Sequence, residues 1–192
     1  MNTDLLQAKF GEPISDDLIN MYCDKLNTAL NGKFDGMLAL QYITLEPNDL
    51  DRLITGKKPV LQILFDRKRE HYVLVEWKLF DKVVTIFDSL ATQQENTATA
   101  LNRRLAKQIL NLFQHLFKDG VVVVRYETDI AKQEDKWSCG LRTIANITYR
   151  AFDEDPTRFV YVLSISSGIN CDICAIGYLF RGAIFMTHII YT

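Results

Sequence analysis

The sequence predicts an α+β domain built on a mainly antiparallel sheet, and three observations lead to this class. The chain has 192 residues, of which 48% are hydrophobic, so one domain can bury a sizeable core. Three runs rich in Val, Ile, Leu and aromatic residues follow one another without a helix between them, at 59–66, 71–77 and 83–88. Segments with helical periodicity lie before and after these runs, which favours helices packed against a sheet.

Caps and periodicity predict the individual elements. Ser15 is a good N-cap for a first helix, and Asp16 and Asp17 suit the positive end of its dipole. The later elements are a short helix over 48–56, the three strands, a long amphipathic helix over 94–118, a buried Val-rich strand over 120–126 and a helix over 139–152. No repeat or linker interrupts this order, so we expect residues 1–163 to form one domain.

The remaining segment, 164–192, differs in composition and forms an apolar tail of uncertain role. Residues 173–191 approach the length of a membrane span, but Arg181 at their centre is costly in lipid. A core strand or helix is therefore preferred to a membrane anchor. A tail unrelated to the rest of the domain is a further interpretation of the same break in composition.

Charge and cysteine content exclude several classes. A net charge of -2 argues against a protein that binds nucleic acid through bulk positive charge. Four cysteines are too few and too irregular for a disulfide framework, and the single pair Cys171 and Cys174, even with His188, is weak for zinc. No secretory signal is visible at the N-terminus, so we expect a reducing compartment, either nucleus or cytoplasm.

His71 and Asp88 are placed to form a catalytic pair. They lie 17 residues apart, His71 at the start of one predicted strand and Asp88 at the end of the next. A hairpin centred on Leu79 and Phe80 would set them opposite each other, with Cβ atoms about 5 Å apart. The carboxylate would then reach the Nδ1–H of the imidazole and stabilise the imidazolium. The alternative is a surface histidine and an aspartate that never meet.

Cys139 has the features of a thiol nucleophile. It falls at the start of a strongly helical segment, where the dipole and free N–H groups favour a thiolate, and Gly140 lets a substrate backbone approach closely. Gln133, six residues earlier, is able to donate its amide to an oxyanion beside the Cys139 N–H. A buried cysteine that serves only as a small hydrophobe, and a solvated glutamine, are the alternatives. Cys23 lies among core residues of the first helix and is predicted to be structural.

These residues, in this order, resemble the ubiquitin-like-protein-specific cysteine proteases of the Ulp/SENP type. The resemblance covers about residues 13 to 160. The segments that carry it are Ile14-Ser-Asp-Asp-Leu-Ile-Asn-Met-Tyr22, His71-Tyr-Val-Leu-Val, Ile86-Phe-Asp88-Ser89-Leu90 and Gln133 followed by Ser138-Cys139-Gly140. It implies a papain-like fold, with a central mainly antiparallel sheet flanked by helices.

The resemblance also implies an activity, which is hydrolysis after the C-terminal Gly of a ubiquitin-like modifier. A SUMO-like modifier is the first expectation, and such a reaction needs no metal or cofactor. The implied roles are Cys139 as nucleophile, His71 as general base and then acid, Asp88 as its orienter and Gln133 as oxyanion donor. Substrate contacts are implied at Tyr72, Trp137, Ser138 and Gly140. The family commonly has Trp where this chain has Tyr72 and Pro13, and Asp where it has Ser138, which leaves the modifier open. The expected partners are the modifier and its conjugates, and the expected state is a monomer.

Two other functional classes fit the same residues. Acyltransferases that resemble this fold use a similar His, acid and Cys set, although no basic patch for an acyl-CoA stands out in the sequence. A catalytically inactive module that binds a modifier is the other, suggested by the replaced tryptophans and the unusual tail.

Overall fold

The computed structural model describes residues 11–44, 47–91 and 101–158. Its helices and strands are, in chain order, α1 (Asp16–Ala29), β1 (Asp35–Gly36), α2 (Pro47–Leu53), β2 (Val60–Asp66), β3 (His71–Trp77), β4 (Val83–Phe87), α3 (Arg103–Phe113), β5 (Val123–Glu127) and α4 (Cys139–Ala151). Short 3₁₀ turns occur at Leu40–Thr44, Gln114–Leu116 and Pro156–Arg158. The α+β class predicted from the sequence is confirmed.

Within the described part of the chain, five strands form one sheet in the order β1-β2-β3-β4-β5. The central pairs β2–β3 and β3–β4 are antiparallel, whereas β1 and β5 add to the two sides in parallel. Tight turns join the central strands, and Glu70 and Phe80 adopt left-handed backbone conformations in them (φ 51° and 66°). The sheet is therefore mixed, with an antiparallel centre that carries β3 in its middle.

Helices cover both faces of this sheet. Successive residues of a strand point to opposite faces, so β3 contributes to two hydrophobic clusters. Tyr72 and Leu74 pack with α1 and α4, whereas Val73, Val75 and Trp77 pack with α2 and α3. Every residue of β3 is buried. Because both faces are packed, the first residue of β3 is held by a rigid strand.

Helix α4 is fixed to the sheet and to α1 by polar contacts. Arg150 donates to the carboxylate of Glu76 on β3, from Nη2 at 2.8 Å and from Nε at 3.1 Å. A buried hydrogen bond joins the hydroxyls of Tyr22 on α1 and Thr148 on α4. Polar groups that are buried with partners fix one arrangement of the elements that carry them. These contacts set the position of the α4 N-terminus.

The long helix predicted over 94–118 is shorter in the structure. Helix α3 begins at Arg103, because the side chain of Asn102 accepts the N–H groups of Arg104 and Leu105 at 3.1 Å each and so caps it. The α-helix ends at Phe113, and a 3₁₀ turn follows. The prediction of α-helix is therefore wrong for residues 101–102 and 114–118. Residues 94–100 lie outside the described ranges.

The last strand also differs from its prediction. β5 begins at Val123 rather than at residue 120, and Val123 is 51% exposed. Among the described strands β5 pairs only with β4, so it forms an edge of the sheet. The prediction of a buried strand is therefore wrong, because a run of valines indicates extended structure but does not distinguish an edge strand from a central one.

The predictions for the tail concern residues outside the described ranges. These are the domain boundary at 163–164, the apolar segment 173–191 and the group of Cys171, Cys174 and His188. None of the helices among residues 11–44, 47–91 and 101–158 is long and apolar enough to cross a membrane.

Candidate active site

His71 and Asp88 meet at one end of the sheet. His71 is the first residue of β3, Asp88 follows β4 directly, and His71 Nε2 lies 2.8 Å from Asp88 Oδ1. The register differs from the prediction, because β3 and β4 pair Leu74 with Phe87. Continuing that register sets Asp88 opposite Val73 rather than opposite His71. The shift is two residues, which is the period of a strand, so both side chains keep the same face and meet diagonally.

The contact uses a different imidazole nitrogen from the predicted one. The carboxylate of Asp88 binds Nε2, not Nδ1. A neutral or charged imidazole donates from one nitrogen to such a carboxylate, so Nε2 carries the proton. Nδ1 is then the nitrogen available to Cys139, whose thiol is hydrogen-bonded to His71. His71 thus lies between a carboxylate and a thiol.

All three side chains are almost completely buried, with exposures of 1% for His71, 0% for Asp88 and 3% for Cys139. Burial alone would raise the pKa of Asp88, but the hydrogen bond from His71 and the charge of Arg69 lower it to about 2. Burial would lower the pKa of His71, yet its bonds to Asp88 and Cys139 raise it above the ordinary value. Burial would raise the pKa of Cys139, and the bonds to His71 and to the Tyr72 backbone lower it. Together these shifts favour a thiolate beside an imidazolium.

Cys139 is the first residue of α4, as the sequence predicts. The turn before the helix is closed by Asp135, whose carboxylate accepts from the backbone N–H groups of Trp137 at 2.9 Å and Ser138 at 2.7 Å. It also accepts from the Ser138 hydroxyl at 2.7 Å. Burial alone would raise the pKa of Asp135, but the bonds from Ser138 and Trp137 lower it. The N-terminus of α4 therefore starts from an ordered turn that presents Cys139 to His71.

Ser138 lies in the turn directly before α4. It is fully buried, and its hydroxyl donates to Asp135 and accepts from Arg142 Nε at 3.0 Å. The side chain therefore faces the interior and is not presented to a ligand. Trp137 is half-buried on the same turn. The short side chain of Ser138 thus helps to close the turn, a contact that sequence spacing does not reveal.

Gln133 is tied to the loop that carries Asp88. Its backbone N–H donates to the carbonyl of Ser89 at 2.9 Å, and its Oε1 accepts from the Ser89 hydroxyl at 3.1 Å. Its Nε2 donates to the carbonyl of Asp135 at 2.7 Å. The two side-chain bonds fix the amide of Gln133 between the loop that carries Asp88 and the turn before Cys139. Sequence reasoning gave no role to Ser89, although its position directly after Asp88 is a signal that it lies beside the site.

Tyr72 and Ile14 pack on the start of α4. A Cβ placed on Gly140 would lie 2.7 Å from Ile14 Cδ1 and 3.3 Å from Tyr72 Cδ2. The distance to Ile14 is shorter than carbon atoms adopt, so a side chain at Gly140 would require Ile14 to shift. The Tyr72 hydroxyl donates to Asp16, which ties the residue to the first turn of α1. Ile14 was not singled out in the sequence, because its contact with Gly140 depends on where the segment before α1 runs.

Two charged residues beside the site were also missed. Arg69 Nη1 lies 2.7 Å from Asp88 Oδ2, and Arg69 Nε donates to Asp66 Oδ2 at 2.6 Å. Asn102 donates to the same oxygen of Asp66 at 2.6 Å. The signal available in the sequence is the charge-rich turn from 66 to 70 that ends directly before His71.

An open cavity of about 550 Å³ lies next to Gln133. Its walls come from the segments that follow β4 and β5, at residues 89–91, 128–130, 132 and 133. The cavity therefore lies beside Gln133 and beside the segment that directly follows Asp88. In the described part of the chain, no group of three or more His, Cys, Asp and Glu side chains is arranged to hold a metal ion.

Comparison with known proteins identifies the fold. No protein-family model and no curated protein matches the chain. Among solved structures, the SUMO protease Ulp1 with its catalytic cysteine oxidised to a sulfinic acid is 12% identical, with a TM-score of 0.57, covering 81% of this chain and 77% of that one. The yeast complex of the Ulp1 protease domain with Smt3, the SUMO orthologue, is 15% identical, with a TM-score of 0.54 and coverages of 78% and 70%.

A third structure extends the comparison to another organism. The Ulp1-like SUMO protease catalytic domain of Chaetomium thermophilum is 18% identical, with a TM-score of 0.51, covering 77% of this chain and 66% of that one. At such identities the likeness concerns the fold. The fold of this chain is therefore that of Ulp1 protease domains, and the papain-like α+β architecture expected from the sequence is confirmed.

Proposed function

We propose that the chain is a cysteine peptidase or isopeptidase that cleaves after the C-terminal Gly of a ubiquitin-like modifier. The observation that carries the proposal is the buried contact of His71 with Asp88 on one side and Cys139 on the other. Structural ion pairs also shift pKa values, but here the raised histidine and lowered cysteine values belong to directly bonded partners at a helix N-terminus. This is the arrangement that an activated thiol needs.

In the proposed reaction, His71 takes the proton of the Cys139 thiol, and the thiolate attacks the carbonyl carbon of the modifier's last Gly. The resulting oxyanion accepts hydrogen bonds from the Cys139 N–H and from Gln133. Since an amide nitrogen carries two N–H bonds, the one that Gln133 donates to Asp135 leaves a second for the substrate. The C–N bond breaks as the imidazolium gives its proton to the leaving amine.

The second half of the reaction releases the modifier. His71 deprotonates a water molecule, and the hydroxide attacks the thioester carbonyl. The C–S bond breaks, the Cys139 sulfur takes its proton from the imidazolium, and the modifier leaves as a carboxylic acid that ionises in water. Throughout, Asp88 keeps the imidazole oriented and stabilises its positive form.

A modifier that ends in glycine is proposed because the structural neighbours of this chain are SUMO protease domains. Gly140 itself packs against Ile14 and Tyr72. A SUMO-like modifier is the first choice, because one of the structural neighbours is a complex with a SUMO orthologue. The proposed partners are therefore the modifier and its conjugates, and the proposed setting is the nucleus or cytoplasm, with the chain a monomer.

The test uses SUMO, ubiquitin and other ubiquitin-like proteins that each carry a C-terminal electrophile. Purified protein is mixed with each probe, and the covalent adduct is measured by intact mass. We expect an adduct with a SUMO-like probe, and none with Cys139→Ser. Cys23→Ala is the matched control, because Cys23 is 1% exposed and burial raises the pKa of its thiol to about 12, so its removal should leave the adduct unchanged.

Two outcomes would contradict the proposal. The first is that folded protein forms no adduct with any probe, which would favour acyl transfer or a non-catalytic module. The second is an adduct that persists in Cys139→Ser. An adduct with a probe other than SUMO would support the proposed peptidase activity but show that its modifier is not SUMO-like.

A further inference from the structure

Arg69 links two buried carboxylates beside the site. Its guanidinium contacts Asp88 Oδ2 at 2.7 Å through Nη1 and Asp66 Oδ2 at 2.6 Å through Nε. Both carboxylates are fully buried, whereas the Arg69 side chain is 31% exposed. The contact with Asp66 is a hydrogen bond and the contact with Asp88 is an ion pair, and the planar guanidinium of arginine can serve both at once.

The two oxygens of Asp88 therefore have different partners. Oδ1 faces His71 Nε2 at 2.8 Å and accepts the Leu90 N–H at 2.9 Å, while Oδ2 faces Arg69. A carboxylate that is held at both oxygens cannot rotate about its Cβ–Cγ bond without breaking a charged contact. The contact with Arg69 thus helps to fix the plane of the carboxylate that faces His71.

Asp66 holds Arg69 in turn. Besides Arg69, it accepts the Asn102 amide at 2.6 Å and the Lys68 N–H at 3.0 Å. Asp66 also pairs directly with His71 across β2 and β3. Asp66 is the last residue of β2 and is bonded to Asn102, the N-cap of α3. Arg69 is therefore held by a group that two packed elements fix in place.

We propose that Arg69, clamped by Asp66, is a positioning residue that orients Asp88 and so keeps His71 able to activate Cys139. This inference rests on the proposed function, since it concerns the same site. The charged groups that face this chain of contacts are Asp66 at the end of β2, Arg69 on the turn, His71 on β3, Asp88 after β4 and Cys139 on α4.

The test measures the thiol directly, so that it does not depend on a modifier. The rate at which iodoacetamide alkylates Cys139 is followed against pH by peptide mass spectrometry in the wild type, Arg69→Ala, Asp88→Asn and the double variant. We expect Arg69→Ala to move the midpoint of the profile to higher pH, because Asp88 loses its fixed orientation and the imidazolium is stabilised less. In the Asp88→Asn background, Arg69→Ala should move the midpoint no further.

Arg67→Ala is the matched control, since Arg67 is exposed on the same turn. It should leave the midpoint where the wild type has it. Where a modifier probe is turned over, Arg69→Ala should lower kcat by up to about 100-fold with little change in KM, as expected for a misplaced catalytic group.

Folding is checked by thermal melting of each variant. If Arg69→Ala does not fold, Arg69→Lys replaces it, because an ammonium keeps the charge but has no planar fork with which to hold both carboxylates. The proposal is overturned if the midpoint of the folded variant equals that of the wild type, or if the Arg69 and Asp88 effects simply add. Absence of an adduct with every modifier probe, together with a shifted alkylation profile, would contradict the proposed function and leave this inference standing.

Discussion

At the scale of single residues, the site depends on a buried carboxylate that stays ionised. Asp88 is removed from water, which disfavours its charge, and yet its pKa lies at about 2 because His71 and Arg69 both favour the carboxylate. The free energy of these contacts is therefore part of the stability of the fold as well as of the chemistry. Ionisation of Asp88 links the two.

The pH dependence of stability follows from this shift. Because the pKa of Asp88 is depressed in the folded state, its contribution is present above the ordinary value of 3.8 and is lost as the pH falls to about 2. A shift of this size corresponds to about 2 kcal/mol. We expect the stability difference between wild type and Asp88→Asn to shrink by about this amount over that range.

The measurement is urea unfolding of both proteins at several pH values. Asp153→Asn serves as control, because Asp153 forms an exposed ion pair with Lys33 and should give a small difference at every pH. A difference in the free energy of unfolding between wild type and Asp88→Asn that stays constant over this pH range would show that the ionised carboxylate of Asp88 does not stabilise the fold.

At the scale of elements, the segment before α1 and the N-terminus of α4 fit together at Gly140. We expect Gly140→Ala to lower the free energy of unfolding by about 1–3 kcal/mol, since its Cβ would overlap Ile14. It should also slow adduct formation at Cys139. Both effects are measured on the same variant, by chemical unfolding and by labelling rate.

The contact itself is tested by a double variant. Ile14→Ala removes the atoms that a new Cβ would meet, so the combined variant should be more stable than the sum of the two single changes predicts. Strict additivity would show that Gly140 and Ile14 do not meet in this way.

A second contact between elements ties α4 to the sheet. Glu76→Gln keeps the shape of the side chain but removes the charge that Arg150 binds, so we expect the free energy of unfolding to fall by about 1–3 kcal/mol. Since neither residue touches His71 or Asp88 in the described contacts, the alkylation profile of Cys139 against pH should not move. A shifted profile would mean that this pair acts on the site.

The sequence could predict the secondary-structure elements of the site but not the way in which they pair. The strands of His71 and Asp88 were predictable from their apolar runs, and so was the start of the helix at Cys139. Their register was not, because the turn after Trp77 places Phe80 in a left-handed conformation that nothing in the residue pattern announces. The two side chains still meet because the error equals the period of a strand.

Contacts between distant segments lay beyond sequence reasoning for another reason. Arg69 reaches Asp88 and Asp66 only once three strands are assembled, and Ile14 meets Gly140 only once the chain has folded back. The sequence shows a charged turn and an apolar residue before a helix, both of which are ordinary at a protein surface. The burial of β5 was likewise unpredictable, since it depends on which strand lies at the edge.

At the scale of the whole molecule, the site lies where the two layers of helices meet around the end of the sheet. Asp66 is held by the cap of α3 on one layer, whereas Cys139 comes from α4 on the other. His71, at the end of the central strand, is positioned between them. The chemistry therefore depends on the complete layered fold rather than on one loop.

This dependence gives a prediction for the domain boundary. The sheet, both clusters and the residues proposed for catalysis all lie within residues 11–158. We expect a chain of residues 1–163 to unfold in one cooperative transition and to react with the same modifier probe as the full chain. Loss of the cooperative transition on removing 164–192 would show that the tail belongs to the domain.

The turn between β3 and β4 lies at the far end of the central strand from His71. β3 has seven residues, which at about 3.3 Å each sets this turn roughly 20 Å from the imidazole. Phe80 at its tip is 87% exposed. A fluorophore or a surface tether attached there would lie far from the residues proposed for catalysis, so that single-molecule recordings of modifier capture become practical with this chain.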